Sequence, residues 1–183
     1  MSAAALLAGA TAFLDRDGTI NEAAPEGEYV ASPDEIRLLP GAARAIALLN
    51  ELPARVVVVT NQRGIALGRM SEDDLAAVNR RLLAELESEG AHLDAIYHCP
   101  HPAAGCDCRK PGPGMFEQAA REVPGVRLEG AAMVGDSALD VEAGRRLGLT
   151  TVRLGTAAAG DPSPTHESPD LLAAARWLLG GAG

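Results

Sequence analysis

The chain has 183 residues, a length that fits one compact domain, and we expect residues 1–183 to form a single domain. Aromatic residues make up only 3% of the chain and its formal net charge is -9. Binding to nucleic acid generally requires a basic surface and aromatic stacking platforms, so this composition argues against a nucleic-acid partner.

The N-terminal stretch 1–14 is apolar but lacks the basic start of a secretory signal. It runs directly into Asp15-Arg16-Asp17, and we interpret its end as a buried strand. No run of about twenty apolar residues is present, so we expect no membrane span. We expect a cytoplasmic protein and a monomer.

Short β-rich runs alternate with longer helical patterns along the chain. The predicted strands are Thr11–Leu14, Arg55–Val59, Ala95–His98, Ala131–Val134 and Thr151–Leu154. The predicted helices are Gly41–Glu51, Ser71–Glu89, Gly114–Glu122, Leu139–Leu147 and Pro169–Leu179. The alternation predicts an α/β fold with a doubly wound parallel sheet. Ser71 with Asp74 is a capping pattern for the second helix, and Gly90 ends it.

Two segments do not follow this alternation, and the tail region is predicted separately. Glu22–Pro40 and Pro100–Pro113 each follow a predicted strand, on the side where open α/β sheets bind ligands. Thr156–Ser168 is rich in Ala, Pro and Ser, and we predict an exposed loop there.

The first chemical motif is Asp15-Arg16-Asp17-Gly18-Thr19, directly after an apolar strand. Alternation along an extended chain places the carboxylates of Asp15 and Asp17 on one side. Two such close charges are costly unless a cation lies between them, and hard oxygen ligands suit Mg²⁺. An ordinary strand followed by an Asp-Gly turn is the structural alternative.

Further polar groups follow the other predicted strands. Thr60 ends a buried strand and is followed by Asn61; its hydroxyl can donate to a phosphate oxygen, although strand-end threonines are often structural. Arg109 and Lys110, the only lysine of the chain, lie together in a proline-rich loop. Lys110 is a candidate anion ligand, with a solvated surface lysine as the alternative.

A fourth motif runs from Gly135 to Asp140, where a strand leads into a helix. We expect Asp136 at a metal and Asp140 ordering its neighbours, close to a helix N-terminus that favours anions. The alternative is that Asp136 or Ser137 is an ordinary helix N-cap.

All three cysteines lie in the segment Cys99-x-His101-(four residues)-Cys106-x-Cys108. Three thiols and an imidazole form a known tetrahedral zinc set, so we predict a zinc ion on Cys99, His101, Cys106 and Cys108. Because these four ligands leave no open position, the zinc is expected to be structural and to order the loop that carries Lys110. His98 is a rival ligand.

Taken in order, the four motifs resemble those of the haloacid dehalogenase superfamily of phosphohydrolases. The stretches FLDRDGTIN, TNQRGIALG and CDCRKPGPGM resemble the histidinol-phosphatase/heptose-bisphosphatase family in particular. This second resemblance extends from about residue 12 to residue 155. It implies the Rossmann-like fold of the superfamily, without a large cap domain, and a zinc-bound loop.

The resemblance implies roles for the motif residues. Asp15 is the expected nucleophile and Asp17 the acid and base, with Mg²⁺ held by Asp15, the Asp17 carbonyl and Asp136. Thr60 and Lys110 are expected to bind the transferring phosphoryl group. The expected substrate-binding residues are Asn61, Arg63, Arg109 and Ser137.

The substrate implied by the resemblance is a small phosphorylated sugar, D-glycero-D-manno-heptose 1,7-bisphosphate, losing its 7-phosphate. Two positions differ from the heptose enzymes, where Lys commonly follows the metal aspartate and Ser commonly follows the Thr-Asn-Gln motif. Here these positions hold Ser137 and Arg63. We hypothesise that Arg63 replaces the missing positive charge, with a solvated loop residue as the alternative.

Other readings remain open. Histidinol phosphate or another small phosphometabolite is the closest alternative substrate, and Glu22, Glu26 and Glu28 suit an amine. The low basic and aromatic content argues against a DNA 3′-phosphatase. A non-catalytic phosphate- or metal-binding regulator is an alternative of a different class.

Overall fold

In a computed structural model of the chain, residues 10–102 and 105–180 are described, and the predictions for residues 1–9 lie outside this range. The strands are β1 (Thr11–Leu14), β2 (Arg55–Asn61), β3 (Ala95–Cys99), β4 (Ala132–Gly135), β5 (Thr150–Leu154) and β6 (His166–Ser168). The helices are α1 (Ala42–Asn50), α2 (Glu72–Ser88), α3 (Gly114–Glu122), α4 (Ala138–Arg146) and α5 (Leu171–Leu178).

The strands form one parallel sheet in the order β3-β2-β1-β4-β5-β6. Leu14 at the end of β1 is level with Val58 of β2 and with Val134 of β4. The residues that follow these three positions therefore emerge side by side at the carboxyl edge. The predicted doubly wound parallel sheet is confirmed.

Each face of the sheet carries helices, which explains the near-continuous apolar strands. Along β2, Val56 and Val58 pack with apolar side chains of α1, α2 and α5. Val57 and Val59 face the other way, toward α3 and α4, where the rings of Phe13 and Phe116 meet edge to face at 4.9 Å. Burial on both sides makes the central strands a rigid base for the loops at the carboxyl edge.

All ten predicted strands and helices are present, with ends displaced by no more than two residues. The predicted caps of α2 are also found. The Ser71 hydroxyl accepts from the Asp74 amide at 3.1 Å, and Gly90 follows the helix with a φ of 78°. β2 extends through Asn61, so Thr60 lies inside a strand.

The predicted exposed loop Thr156–Ser168 is wrong at its end, where β6 adds a sixth strand beside β5. The letters His-Glu-Ser show no apolar alternation, so local sequence does not predict the strand. It forms through a tertiary contact instead. The amide of Thr165 donates to the Thr151 hydroxyl at 2.9 Å, and the amide of Thr151 donates back to the Thr165 hydroxyl at 3.1 Å.

The segments after β1 and β3 form the rim of the carboxyl edge. Between β1 and α1 the structure contains one 3-10 turn, Pro33–Glu35, and residues 62–71 form the loop between β2 and α2. In the described part of the chain, no insertion at these points is large enough to be a cap domain, as expected. None of the described helices combines the length and apolar composition needed to cross a membrane.

Candidate active site

Lys110 lies at the centre of the carboxyl edge, with a side chain that is only 2% exposed. Its ammonium contacts the carboxylates of Asp15 at 2.9 Å and of Asp140 at 2.6 Å, and donates to the Val59 carbonyl at 2.7 Å. A buried ammonium is tolerated only when it is paired and hydrogen-bonded. The alternative of a solvated surface lysine is therefore wrong.

The charges of this cluster shift one another's protonation equilibria. Burial raises the pKa of Asp15 to about 7, although the neighbouring Lys110 opposes the rise. Burial alone would lower the pKa of Lys110, but the charges of Asp140 and Asp15 outweigh it and raise that pKa to about 12. Burial, and then the charge of Asp140, raise the pKa of Asp136. The site thus concentrates negative charge around one cation.

The backbone of Lys110 is held from β2. Asn61 donates from its amide to the Lys110 carbonyl at 3.2 Å and accepts from the Lys110 amide at 3.0 Å. The loop after β3 is thereby fixed to the central sheet. The Asn61 side chain thus helps to position Lys110, and its direct binding of substrate stays a prediction.

The carboxylate of Asp17 is not part of the group formed by Asp15, Asp136 and Asp140. Arg16 donates to its two oxygens from Nε at 3.1 Å and from Nη2 at 3.0 Å. Asn21 adds a hydrogen bond at 2.9 Å and Gln62 another at 2.9 Å. The side-chain cation beside Asp17 is therefore Arg16, whereas the one beside Asp15 is Lys110, and the predicted magnesium ion stays a prediction.

Thr60 lies beside this network, almost fully buried, with a hydroxyl that accepts from Gln62 Nε2 at 2.9 Å. The same Gln62 amide nitrogen binds Asp17, so it joins the two predicted catalytic residues. Local sequence patterns predict no role for Arg16 or Asn21, and they indicate Gln62 only as part of the Thr-Asn-Gln motif. In the sequence, Arg16 is distinguished only by its position between two aspartates, and an arginine in such a position is usually exposed to solvent.

The remaining predicted substrate residues differ in their surroundings. Arg109 is partly buried, and its Nη1 has no hydrogen-bond partner among the described residues. Arg63 is exposed. Ser137 is the N-cap of α4 and exchanges hydrogen bonds with Asp140, so its hydroxyl is already used, as the structural alternative for this residue required.

Two groups of side chains could hold metal ions. The ligand atoms of Asp15, Asp136 and Asp140 lie within 4.8 Å of one another, as do those of Cys99, His101, Cys106 and Cys108. In the second group Cys99 Sγ is 3.0 Å from Cys108 Sγ and 3.6 Å from Cys106 Sγ. His98 is not part of it, because its Nε2 lies 2.8 Å from a Glu72 oxygen.

The comparisons with known proteins agree with this arrangement. A family model described as haloacid dehalogenase-like hydrolase matches residues 3–148. A D-glycero-beta-D-manno-heptose-1,7-bisphosphate 7-phosphatase of Bordetella bronchiseptica is 40% identical over 175 residues, covering 91% of this chain and 96% of that protein. A D-glycero-alpha-D-manno-heptose-1,7-bisphosphate 7-phosphatase of Mycobacterium bovis is 38% identical over 154 residues, covering 81% and 80%.

The crystal structure of the D,D-heptose 1,7-bisphosphate phosphatase of B. bronchiseptica, complexed with magnesium and phosphate, superposes with a TM-score of 0.82. It is 38% identical in sequence, and the match covers 93% of this chain and 98% of that one. With the family model spanning most of the chain, the conclusion is that this protein belongs to the haloacid dehalogenase-like hydrolases.

Proposed function

We propose that the chain is a magnesium-dependent phosphatase that forms an aspartyl-phosphate on Asp15 and removes the 7-phosphate of D-glycero-D-manno-heptose 1,7-bisphosphate. The observation that carries the proposal is the buried contact between Lys110 and Asp15, 2.9 Å long, at the end of the central strand. A carboxylate beside a fixed cation is a suitable nucleophile toward an anionic phosphate ester. The named relatives support the choice of substrate.

The reaction has two steps. An oxygen of Asp15 attacks phosphorus and forms the aspartyl-phosphate bond, while the bond from phosphorus to the sugar oxygen breaks. The sugar oxygen keeps the electron pair of that bond and receives a proton from Asp17, which enters this step in its protonated form. Water then attacks the phosphorus of the aspartyl-phosphate and gives a proton to Asp17. The electron pair of the broken bond returns to Asp15, which restores both carboxyl groups.

In this proposal Lys110 and Thr60 bind the phosphoryl oxygens during both steps. Because Lys110 contacts Asp15, its positive charge is close both to the attacking carboxylate and to the phosphoryl group that becomes bound there. The buried Nη1 of Arg109 lacks a partner among the described residues and suits an anionic substrate group.

The carboxylates fit a magnesium ion. Asp15 and Asp136 supply hard oxygen ligands, and we propose the main-chain carbonyl of Asp17 as a third. Mg²⁺ would reduce the repulsion between the Asp15 carboxylate and the phosphate. Gly18 supports the fit, because a Cβ there would lie 2.2 Å from Asp136 Oδ2. Only glycine leaves Asp136 in this position.

The four residues of the cysteine cluster fit a structural zinc ion. Tetrahedral zinc–thiolate bonds of about 2.3 Å place the sulfur atoms roughly 3.7 Å apart. The separation of 3.6 Å between the sulfur atoms of Cys99 and Cys106 is close to this value, and that of 3.0 Å between Cys99 and Cys108 is shorter. Cys108 directly precedes Arg109 and Lys110, so a zinc ion here would stiffen the loop that carries the catalytic cation.

A histidinol-phosphate phosphatase is the second candidate, and one observation favours it. A cavity of about 340 Å³ in the loop after β1 is lined by four acidic residues and one basic one, namely Glu22, Glu28, Asp34, Glu35 and Arg37. Negative charge at this rim suits a substrate amine. Glu26, the third glutamate named from the sequence, is absent from this lining.

The experiment that tests the function compares kcat/KM for phosphate release, with Mg²⁺, from both anomers of the heptose bisphosphate and from histidinol phosphate. We expect one bisphosphate anomer to be preferred by at least about a hundredfold. Faster turnover of histidinol phosphate would transfer the assignment to that substrate, and absence of turnover would favour a non-catalytic regulator.

Arg63→Ala should raise KM for the heptose bisphosphate and leave KM for histidinol phosphate unchanged. Full activity of this variant on the bisphosphate would disprove the role of Arg63.

Gly18→Ala should weaken the binding of Mg²⁺, measured by calorimetry, because the new Cβ displaces Asp136. Gly18 also has a φ of 80°, which strains any other residue by roughly 1–2 kcal/mol. Gly90→Ala is the matched control, with a φ of 78° and nothing within 4 Å of the added Cβ. Equal Mg²⁺ affinity in the two variants would show that Gly18 does not protect a metal site.

The affinity for Mg²⁺ should depend on pH below neutrality. Because burial raises the pKa of Asp15 to about 7, the carboxyl holds a proton at lower pH that the metal must displace. The apparent Kd should therefore rise about tenfold for each pH unit below this value and level off above it. A Kd that is constant from pH 5.5 to pH 8 would contradict a raised pKa at a metal ligand.

Cys108→Ser should remove zinc, measured as metal content of the purified protein, because a serine hydroxyl is a poor ligand for this ion. The wild type should carry about one zinc per chain. His98→Ala is the control and should keep its zinc, since His98 contacts Glu72 instead. Retention of zinc by the Cys108 variant would contradict the four-ligand site.

A further inference from the structure

Arg16 is the largest fully buried side chain in the described part of the chain. Burying a guanidinium costs several kcal/mol unless its charge and its donors are matched. The hydrogen-bond partners of Arg16 therefore indicate the role of this buried guanidinium.

Of the three side-chain hydrogen bonds of Arg16, two go to the adjacent Asp17 and one goes to a distant part of the chain. Its Nε and Nη2 bind the two oxygens of Asp17, and its Nη1 donates to the side-chain oxygen of Asn79 at 3.0 Å. Asn79 lies on α2, 63 positions along the chain from Arg16. The adjacent buried residues Val78, Leu82 and Leu86 fix α2 to the core, so Asn79 has a rigid support.

The forked contact fixes the plane of the Asp17 carboxylate. Asn21 and Gln62 each donate one hydrogen bond to this carboxylate. Arg16 adds two parallel donors from one rigid guanidinium, which define the carboxylate plane more strongly than single contacts do. Arg16 can orient Asp17 only if the plane of its own guanidinium is fixed. Among the described residues, the side chain other than Asp17 that binds this guanidinium is Asn79.

We propose that Asn79 is a positioning residue that acts through Arg16 to orient Asp17 for proton transfer to the leaving oxygen. The inference rests on the proposed phosphatase function. It assigns to α2, which supplies none of the motif residues, a part in the first chemical step. Asn79 contacts neither substrate nor metal in this account.

The dependence of kcat/KM on the leaving group distinguishes a misplaced Asp17 from a general loss of folding or stability. When the bond from phosphorus to the leaving oxygen breaks, an alkoxide needs the proton of Asp17, whereas p-nitrophenolate leaves without one. The parameter kcat/KM includes this bond cleavage and excludes the later hydrolysis of the aspartyl-phosphate. A misplaced Asp17 should therefore slow alkyl phosphates selectively.

The test compares kcat/KM for the heptose bisphosphate and for p-nitrophenyl phosphate in Asn79→Leu and wild type, each with Mg²⁺. We expect a loss of at least about tenfold on the sugar phosphate and less than about twofold on the aryl phosphate. Asn79→Asp keeps an acceptor for Arg16 and should restore most of the loss. Arg80→Ala, an exposed neighbour on α2, is the control for general effects on the helix.

Equal losses on the two substrates, or no loss, would overturn the proposal. Wild-type protein that releases phosphate from neither substrate would overturn the proposed function itself, and this proposal with it. If Asn79→Leu does not fold, Arg16→Lys replaces it, because a lysine keeps the charge but not the fork. An unchanged ratio of the two kcat/KM values in that variant would also refute the positioning role.

Discussion

The site depends on one buried ammonium group. Lys110 contacts Asp15, Asp140 and the Val59 carbonyl, and so joins three different parts of the carboxyl edge. Removing one partner of such a buried pair leaves an uncompensated charge, at a cost of about 3–5 kcal/mol. The surrounding structure holds the irregular loop after β3 in place, so that the ammonium of Lys110 stays beside Asp15.

Three devices fix that loop. Asn61 holds the Lys110 backbone through two hydrogen bonds, and the cysteine cluster ends two residues earlier at Cys108. Asp140, held in turn by Ser137, receives the side chain. A cation on a flexible loop would lose entropy each time it met a phosphate, so holding it in place before the substrate arrives favours the transition state.

The sequence predicted the sheet and the residues that end its strands, because strand patterns and motif spacing are local properties. It did not predict β6, which exists through the contact of Thr151 with Thr165. It also missed the network around Asp17, since Arg16, Gln62 and Asn79 meet only after folding. Lone polar residues in a helix such as α2 carry no local signal of a remote contact.

The central claim is that the phosphoryl group passes through Asp15. Acid quenching during turnover of a labelled substrate, followed by peptide mass spectrometry, measures this directly. We expect an acid-stable phosphoryl group on the peptide containing Asp15, with a mass increase assigned to that carboxyl. A label on another residue, or rapid turnover with no labelled protein at any quench time, would contradict it.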